Sequence, residues 1–186
     1  MRYDKEKFLK CFKYYSKILT EYKLPSWDNL PSIDLYMDQV IVLINQYLYV
    51  FNAVSNEDKS ITPSMINNYV KLNIIPAPNK KKYSKVHLSY LIIICILKQT
   101  LNMATIQKII PINISEEEVK KIYNSFVHNQ LKSLSYIIEK IKEVADPIIN
   151  SQEENQERLN DLTLQIATSS NIFKILTEKL VYLQLD

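Results

Sequence analysis

Along most of the chain, apolar side chains recur every three or four positions, and prolines break the pattern into segments of helical period. Over Met1–Lys23, residues Phe8, Cys11, Phe12, Tyr15, Ile18, Leu19 and Tyr22 keep this spacing with lysines between them. They predict a basic amphipathic helix ending before Pro25. Leu24–Leu35, with Pro25, Pro31 and the single tryptophan Trp27, reads as an extended linker. Ser32 or Asp34 is then placed to cap a helix through about Phe51, with Asp34 and Asp38 near the positive end of its dipole. Thr62-Pro63 opens the next helix, because the threonine hydroxyl can accept an orphan amide and proline loses nothing at the first helical position. Ile66, Val70 and Ile74 mark its packed face; Ser64, Asn67, Asn68 and Lys71 fall on the opposite stripe.

Pro76 and Pro78 stop that helix, and Asn79-Lys80-Lys81-Lys82-Tyr83 forms a basic loop. Ser84 caps a helix that is nearly continuous in apolar residues from Leu88 to Leu97, too apolar all round to face water and therefore predicted to be buried. A short helix containing Ile106, Lys108, Ile109 and Ile110 follows. After a joint at Pro111–Ile114, Ser115-Glu116-Glu117-Glu118 reads as a capping box. The helix it opens carries Val119, Ile122, Tyr123, Phe126, Leu131, Leu134, Ile138, Ile141 and Ala145 on one side, and Asp146-Pro147 either kinks it or begins another. In the last segment Leu159, Leu162, Ile166, Ser169, Phe173, Leu176, Leu180 and Leu183 step alternately by three and four, which is a heptad seam. Such a seam needs a partner: either the preceding helix folded back, or the same segment of a second subunit. The fold class is mainly α, organised as an N-terminal amphipathic helix and linker (1–30), a central module (31–112) and a C-terminal helical region (113–186).

Charge sharpens this picture. The 186-residue chain has a net charge of +3, yet residues 59–110 hold eight lysines (Lys59, Lys71, Lys80, Lys81, Lys82, Lys85, Lys98, Lys108) and no aspartate or glutamate. A polar helix stripe beside a basic loop suits the grooves and phosphates of nucleic acid: amides can pair with adenine edges, and ammonium groups hold backbone. Glycine is absent, which argues against phosphate-binding glycine loops and nucleophile elbows. His87 and His128 are the only histidines, and neither neighbours a nucleophile or carboxylate constellation, so no enzyme activity and no cofactor are expected. His87 lies in the basic segment, where it either contacts phosphate or is simply exposed. Asp34 and Asp38 lie four apart, but no third ligand is near, so capping accounts for them better than metal does. Cys11 and Cys95 read as free thiols. No signal-peptide layout or membrane-length apolar run occurs, so a cytoplasmic, non-membrane protein is expected.

Two resemblances follow from these residues. Asn67-Asn68-Tyr69-Val70-Lys71-Leu72-Asn73-Ile74-Ile75, with Pro76, the basic loop, and Tyr83-Ser84 before an apolar helix, resembles the winged helix-turn-helix of MerR-type transcription regulators. There a motif of the form R-Y-Y-E-x-x-G-L-I ends the DNA-reading helix. Tyr69 and the Ile-Ile-Pro exit match; Asn67 replaces the family arginine and Asn73 the glycine at the left-handed helix end. Leu24–Val40 together with ITPSMINNYVKLNIIP is also similar to a bacterial domain-of-unknown-function family, number 1836. The MerR resemblance implies a short basic wing and a sequence-specific transcriptional regulator that binds double-stranded DNA as a homodimer. Its DNA-facing residues would be Thr62, Ser64, Asn67, Asn68, Tyr69, Lys71, Lys80, Lys81, Lys82, Tyr83 and Lys85. Its subunits would pair through Leu159, Leu162, Ile166, Phe173, Leu176, Leu180 and Leu183, as a coiled coil or beside a helical hairpin. The alternative is a protein-interaction module on the same scaffold that uses the amphipathic C-terminal helices. MerR-type proteins usually respond to an effector; the region after residue 112 has no cysteine and one histidine, which does not suit thiolate metal sensing. An organic small molecule, or no ligand, both stay open.

Overall fold

The structure, a computed structural model, describes residues 4–52, 60–151 and 156–183. Its contacts divide into two compact units, Lys23–Asn129 and a second made of Met1–Tyr22 with Gln130–Asp186. These divisions fall after Tyr22 and Asn129. The described residues are mainly helical, with one two-stranded sheet.

In the central unit, Leu24 and Trp27 begin the core. Trp27 sits in a short 3-10 turn, Trp27–Asn29, its backbone amide donating to Asn124 Oδ1 at 3.0 Å. Its ring meets Tyr123 edge-on at 6.3 Å, and the Tyr123 hydroxyl donates to the Pro25 carbonyl at 2.8 Å. The linker is therefore stapled to the start of a helix almost a hundred residues later. Leu35–Tyr36 is a strand (β1), and helix α2 runs Met37–Tyr47. Neither Ser32 nor Asp34 caps it. Tyr36 does, its amide donating to Gln39 Oε1 at 2.9 Å, because pairing of β1 keeps the chain extended up to that residue. Helix α2 ends at Leu48, where a single turn, Tyr49–Asn52 (α3), follows in place of the longer helix expected.

Helix α4, Pro63–Lys71, begins as its sequence dictates: Thr62 Oγ1 accepts the Met65 amide at 3.3 Å and Pro63 takes the first position. It ends in a Schellman arrangement. Asn73 turns left-handed at φ 52°, its amide reaching the Val70 carbonyl at 3.0 Å, while the Ile74 amide reaches Tyr69 at 2.8 Å. Strand β2, Lys82–Tyr83, pairs antiparallel with β1, Leu35 opposite Tyr83 and Tyr36 opposite Lys82. Helix α5, Lys85–Leu97, is buried at every position from His87 to Ile96. At about 1.5–3 kcal/mol for each large apolar side chain removed from water, this helix contributes more to the core than any other single element of the unit. Helix α2 packs against α4, α5 and β2 and so fixes the elements that carry the candidate site. Helix α6, Met103–Ile109, is capped by Asn102 and buries Ile106.

Helix α7 runs Glu116–Ile149, its first turns in the central unit and the rest in the second. The capping box forms as read: the Ser115 amide donates to Glu118 Oε2 at 2.9 Å and the Glu118 amide to Ser115 Oγ at 3.3 Å. Asp146-Pro147 does not end the helix, which continues through Pro147. Proline there removes a single donor close to the helix end, and Glu143, whose carbonyl loses its partner, is exposed.

The second unit contains α1 (Lys5–Glu21), the later part of α7, and α8 (Gln156–Leu183). Asp4 caps α1 by accepting the Lys7 amide at 3.0 Å, and the Lys5 ammonium donates to the Ser151 carbonyl. Ala145, Ile148 and Leu162 form a small core, with Phe8, Phe12, Ile149 and Leu159 packed against it. The heptad seam is thus used at its first two positions within the chain. Beyond Leu162, Ile166, Phe173 (56% exposed), Leu176, Leu180 and Leu183 (71% exposed) face outward.

Candidate nucleic-acid interface

The helical stripe expected from the sequence forms on α4: Thr62, Ser64, Asn67, Asn68 and Lys71 are all exposed. The opposite face of α4 buries Ile66 and Tyr69 against the core, so the amides and hydroxyls are held on a helix that cannot roll. Tyr69 was counted above with the DNA-facing residues, but it is only 2% exposed and serves as a core residue. Its hydroxyl is buried without a hydrogen-bond partner among the described residues, and burial, with the Cys95 thiol beside it, pushes its pKa up to about 12. It is a neutral, desolvated phenol. Tyr83, at 3% exposure, is likewise interior and offers no surface to a ligand.

The five-residue basic loop resolves into parts with different work. A hydrogen bond from the Lys82 amide to the Asn79 carbonyl, 2.9 Å, closes a four-residue turn with Lys80 and Lys81 at its tip. Both take left-handed backbone, φ 48° and 65°, so the turn belongs to the I′ class that suits the twist of a hairpin. For residues other than glycine this geometry costs roughly 1–2 kcal/mol each. Lys80 and Lys81 are exposed; Lys82 is half-buried, its ammonium 5.1 Å from the centre of the Tyr36 ring. Lys85 is also half-buried, donating to the Trp27 carbonyl at 3.3 Å. Among the described residues, no carboxylate lies within 4 Å of Lys71, Lys80 or Lys81. The predicted set of eleven therefore divides into seven exposed residues (Thr62, Ser64, Asn67, Asn68, Lys71, Lys80, Lys81), two lysines anchored against aromatic or backbone groups, and two buried tyrosines.

His87 is buried at 7% exposure, rather than available to phosphate. Its Nδ1 accepts the Ser84 amide at 3.0 Å and its Nε2 lies 3.4 Å from the Ala77 carbonyl. The ring thus ties together the two chain segments that flank the basic turn. Its edge packs on Tyr83 at 5.4 Å, and desolvation lowers its pKa below the ordinary value, against the pull of the Ala77 carbonyl and of Asp34.

Two exposed residues near the end of α4 were not picked out from the sequence. Lys98 holds its ammonium 5.9 Å from the centre of the Tyr69 ring, and Gln107 Nε2 donates to the Leu72 carbonyl at 3.4 Å. Nothing in the periodicity marks them, because their neighbours are reached only through the packing of α5 and α6 against α4. Cys95 is buried with its thiol pushed up to about 12 by desolvation, and Cys11 is exposed; neither is paired. Among the described residues no cluster of three or more histidine, cysteine, aspartate or glutamate side chains could hold a metal ion. No described helix is long and apolar enough to cross a membrane.

No curated protein and no solved structure matches the chain. A family model, Domain of unknown function (DUF1836), matches residues 25–126, nearly the whole of the compact unit Lys23–Asn129. This match spans more than half of the 186 residues, and the protein belongs to that family.

Proposed function

We propose that the protein is a sequence-specific DNA-binding regulator of transcription, with a MerR-like winged helix-turn-helix in which α4 reads the major groove and the 79–82 turn is the wing. One observation carries the reading. The exposed stripe Ser64, Asn67, Asn68 and Lys71 and the unpaired lysines of the turn belong to a stretch, residues 59–110, without a carboxylate. Lys59 lies outside the described residues. Amide side chains can donate to and accept from an adenine edge together. Lys71 and the turn lysines supply the sequence-independent hold on phosphate that fixes register. The helix dipole of α4 adds a partial positive charge at its N-terminal end.

A regulator of this kind acts on two half-sites, and the outward seam of α8 supplies a means of pairing two copies. The same seam supports the second reading, in which the scaffold binds another protein through its C-terminal helices. An organic effector is compatible with either.

Fluorescence anisotropy on duplexes from the protein's own promoter region separates them. With Lys71, Lys80 and Lys81 of each subunit on phosphate, and roughly 0.9 counterion released per contact, the log–log salt slope of a dimer is about −5. Asn67→Ala should change which duplex is preferred, whereas Lys71→Glu should weaken all duplexes alike. Binding that is absent at low salt, or indifferent to salt, would remove DNA as the ligand.

A further inference from the structure

Four described residues hold left-handed backbone: Asn73 at φ 52°, Lys80 at 48°, Lys81 at 65° and Asn113 at 60°. The chain has no glycine, so each position carries a Cβ where the following carbonyl crowds it. At the end of α4 and at the joint before α7, the residue used is asparagine, which tolerates this region because its short amide bonds locally. The turn breaks the pattern. Two consecutive left-handed positions in a tight hairpin turn are where Asn-Gly is most strongly favoured, and there the chain has lysine twice. Lysine has neither the freedom of glycine nor the local hydrogen bond of asparagine, so backbone geometry does not explain the choice. Their side chains must.

The surroundings say what those side chains are for. The turn is fixed by the Lys82–Asn79 hydrogen bond and continued by the β1–β2 pairing, so its tip cannot relax into an easier conformation. Both tip ammonium groups are exposed and unpaired, while the next lysine, Lys82, is drawn back over Tyr36. Two exposed cations at consecutive positions of a short turn held by a hydrogen bond and a strand pair are suited to anionic oxygens.

We propose that the Lys80–Lys81 tip is an anion clamp retained although it weakens the fold, and that its ligand is the phosphodiester backbone of a duplex; the identity of this ligand rests on the DNA-binding reading above. Two variants separate charge from strain. Lys80→Asn/Lys81→Gly installs the favoured turn and removes both charges; Lys80→Gln/Lys81→Gln removes the charges and keeps the strain. Thermal unfolding of Lys80→Asn/Lys81→Gly should rise by about 2–8 °C over the parent. Its duplex affinity should fall by about tenfold or more, and the salt slope of a dimer should flatten by about 3–4. Lys80→Gln/Lys81→Gln should show the same loss of binding without the gain in melting temperature. Unchanged affinity and slope in both variants, or a lower melting temperature for Lys80→Asn/Lys81→Gly, overturns the clamp. Heparin, a polyanion without bases, is the second probe. Losses on heparin by a parent that ignores every duplex would keep the clamp and discard DNA as its ligand; a parent that binds neither discards both.

Discussion

In the central unit every position of α5 from His87 to Ile96 is buried, whereas on α8 the equally regular apolar positions Ile166, Phe173, Leu176, Leu180 and Leu183 lie open to water. Both helices are dictated by spacing of apolar residues, yet one is enclosed by its own chain and the other is not. What separates them is the number of faces engaged. The helix α5 has neighbours in α2 and β2, whereas the described residues of α8 bury only Leu162, in the small core with Ala145 and Ile148, and Val181. The core of the central unit is enclosed, with Ile33, Val42 and Leu72 left exposed on its surface. The apolar side of the last helix is not enclosed, and covering it would gain free energy.

Breaking the open side should have the largest effect. If α8 pairs two copies, Leu176→Glu/Leu180→Glu places four charges in the shared seam and forgoes about 1.5–3 kcal/mol for each leucine that would have been covered. Sedimentation equilibrium should show the parent as a dimer and the variant as a monomer over the same concentration range. Helical content and the melting of the central unit should be unchanged. A parent that is monomeric at high concentration would end the pairing model and favour a different protein as the seam's partner.

The closed side is sharpened by its two imperfect points. The Tyr69 hydroxyl is buried without a partner, so Tyr69→Phe, which removes the desolvated group and keeps the ring, should leave stability unchanged or raise it by about 1 kcal/mol in urea unfolding. A loss of more than about 1 kcal/mol would mean that the hydroxyl is held by a bond after all. His87 gives the smallest effect. Its folded pKa lies below the unfolded value near 6.5, so below that pH the unfolded chain takes up a proton that the native chain resists. Stability should be full above about pH 7 and decline as pH falls through 6.5 toward the lower folded value. The proton would also convert Nδ1 from acceptor to donor and turn it against the Ser84 amide. Urea unfolding of the parent and of His87→Gln at pH 7.5 and 5.5 should show this extra acid loss in the parent alone.

The sequence announces what local chemistry decides. Thr62-Pro63, Asn73 and the Ser115–Glu118 box are formed by residues three or four apart, and each appears where its side chains place it. The apolar run of α5 likewise demands enclosure whatever surrounds it. Long-range partners leave no such mark. Tyr36 displaces Ser32 and Asp34 as the cap of α2 because Leu35 and Tyr36 pair with residues nearly fifty positions away. His87 and Tyr83 look like parts of a basic surface when read by their neighbours, but Ala77, Ser84 and the core draw them inward. Of the candidate interface, the exposed polar stripe follows from helical period alone. Which lysines are free and which are anchored follows from Tyr36 and Trp27, which no spacing rule connects to them.

The two thiols give the molecule a built-in gauge of its own breathing. Cys11 is exposed, while Cys95 is sealed inside α5 and its ionised form is suppressed by burial. An alkylating reagent thus modifies the first at once and reaches the second only during transient openings of the interior, whose frequency then sets the rate of labelling.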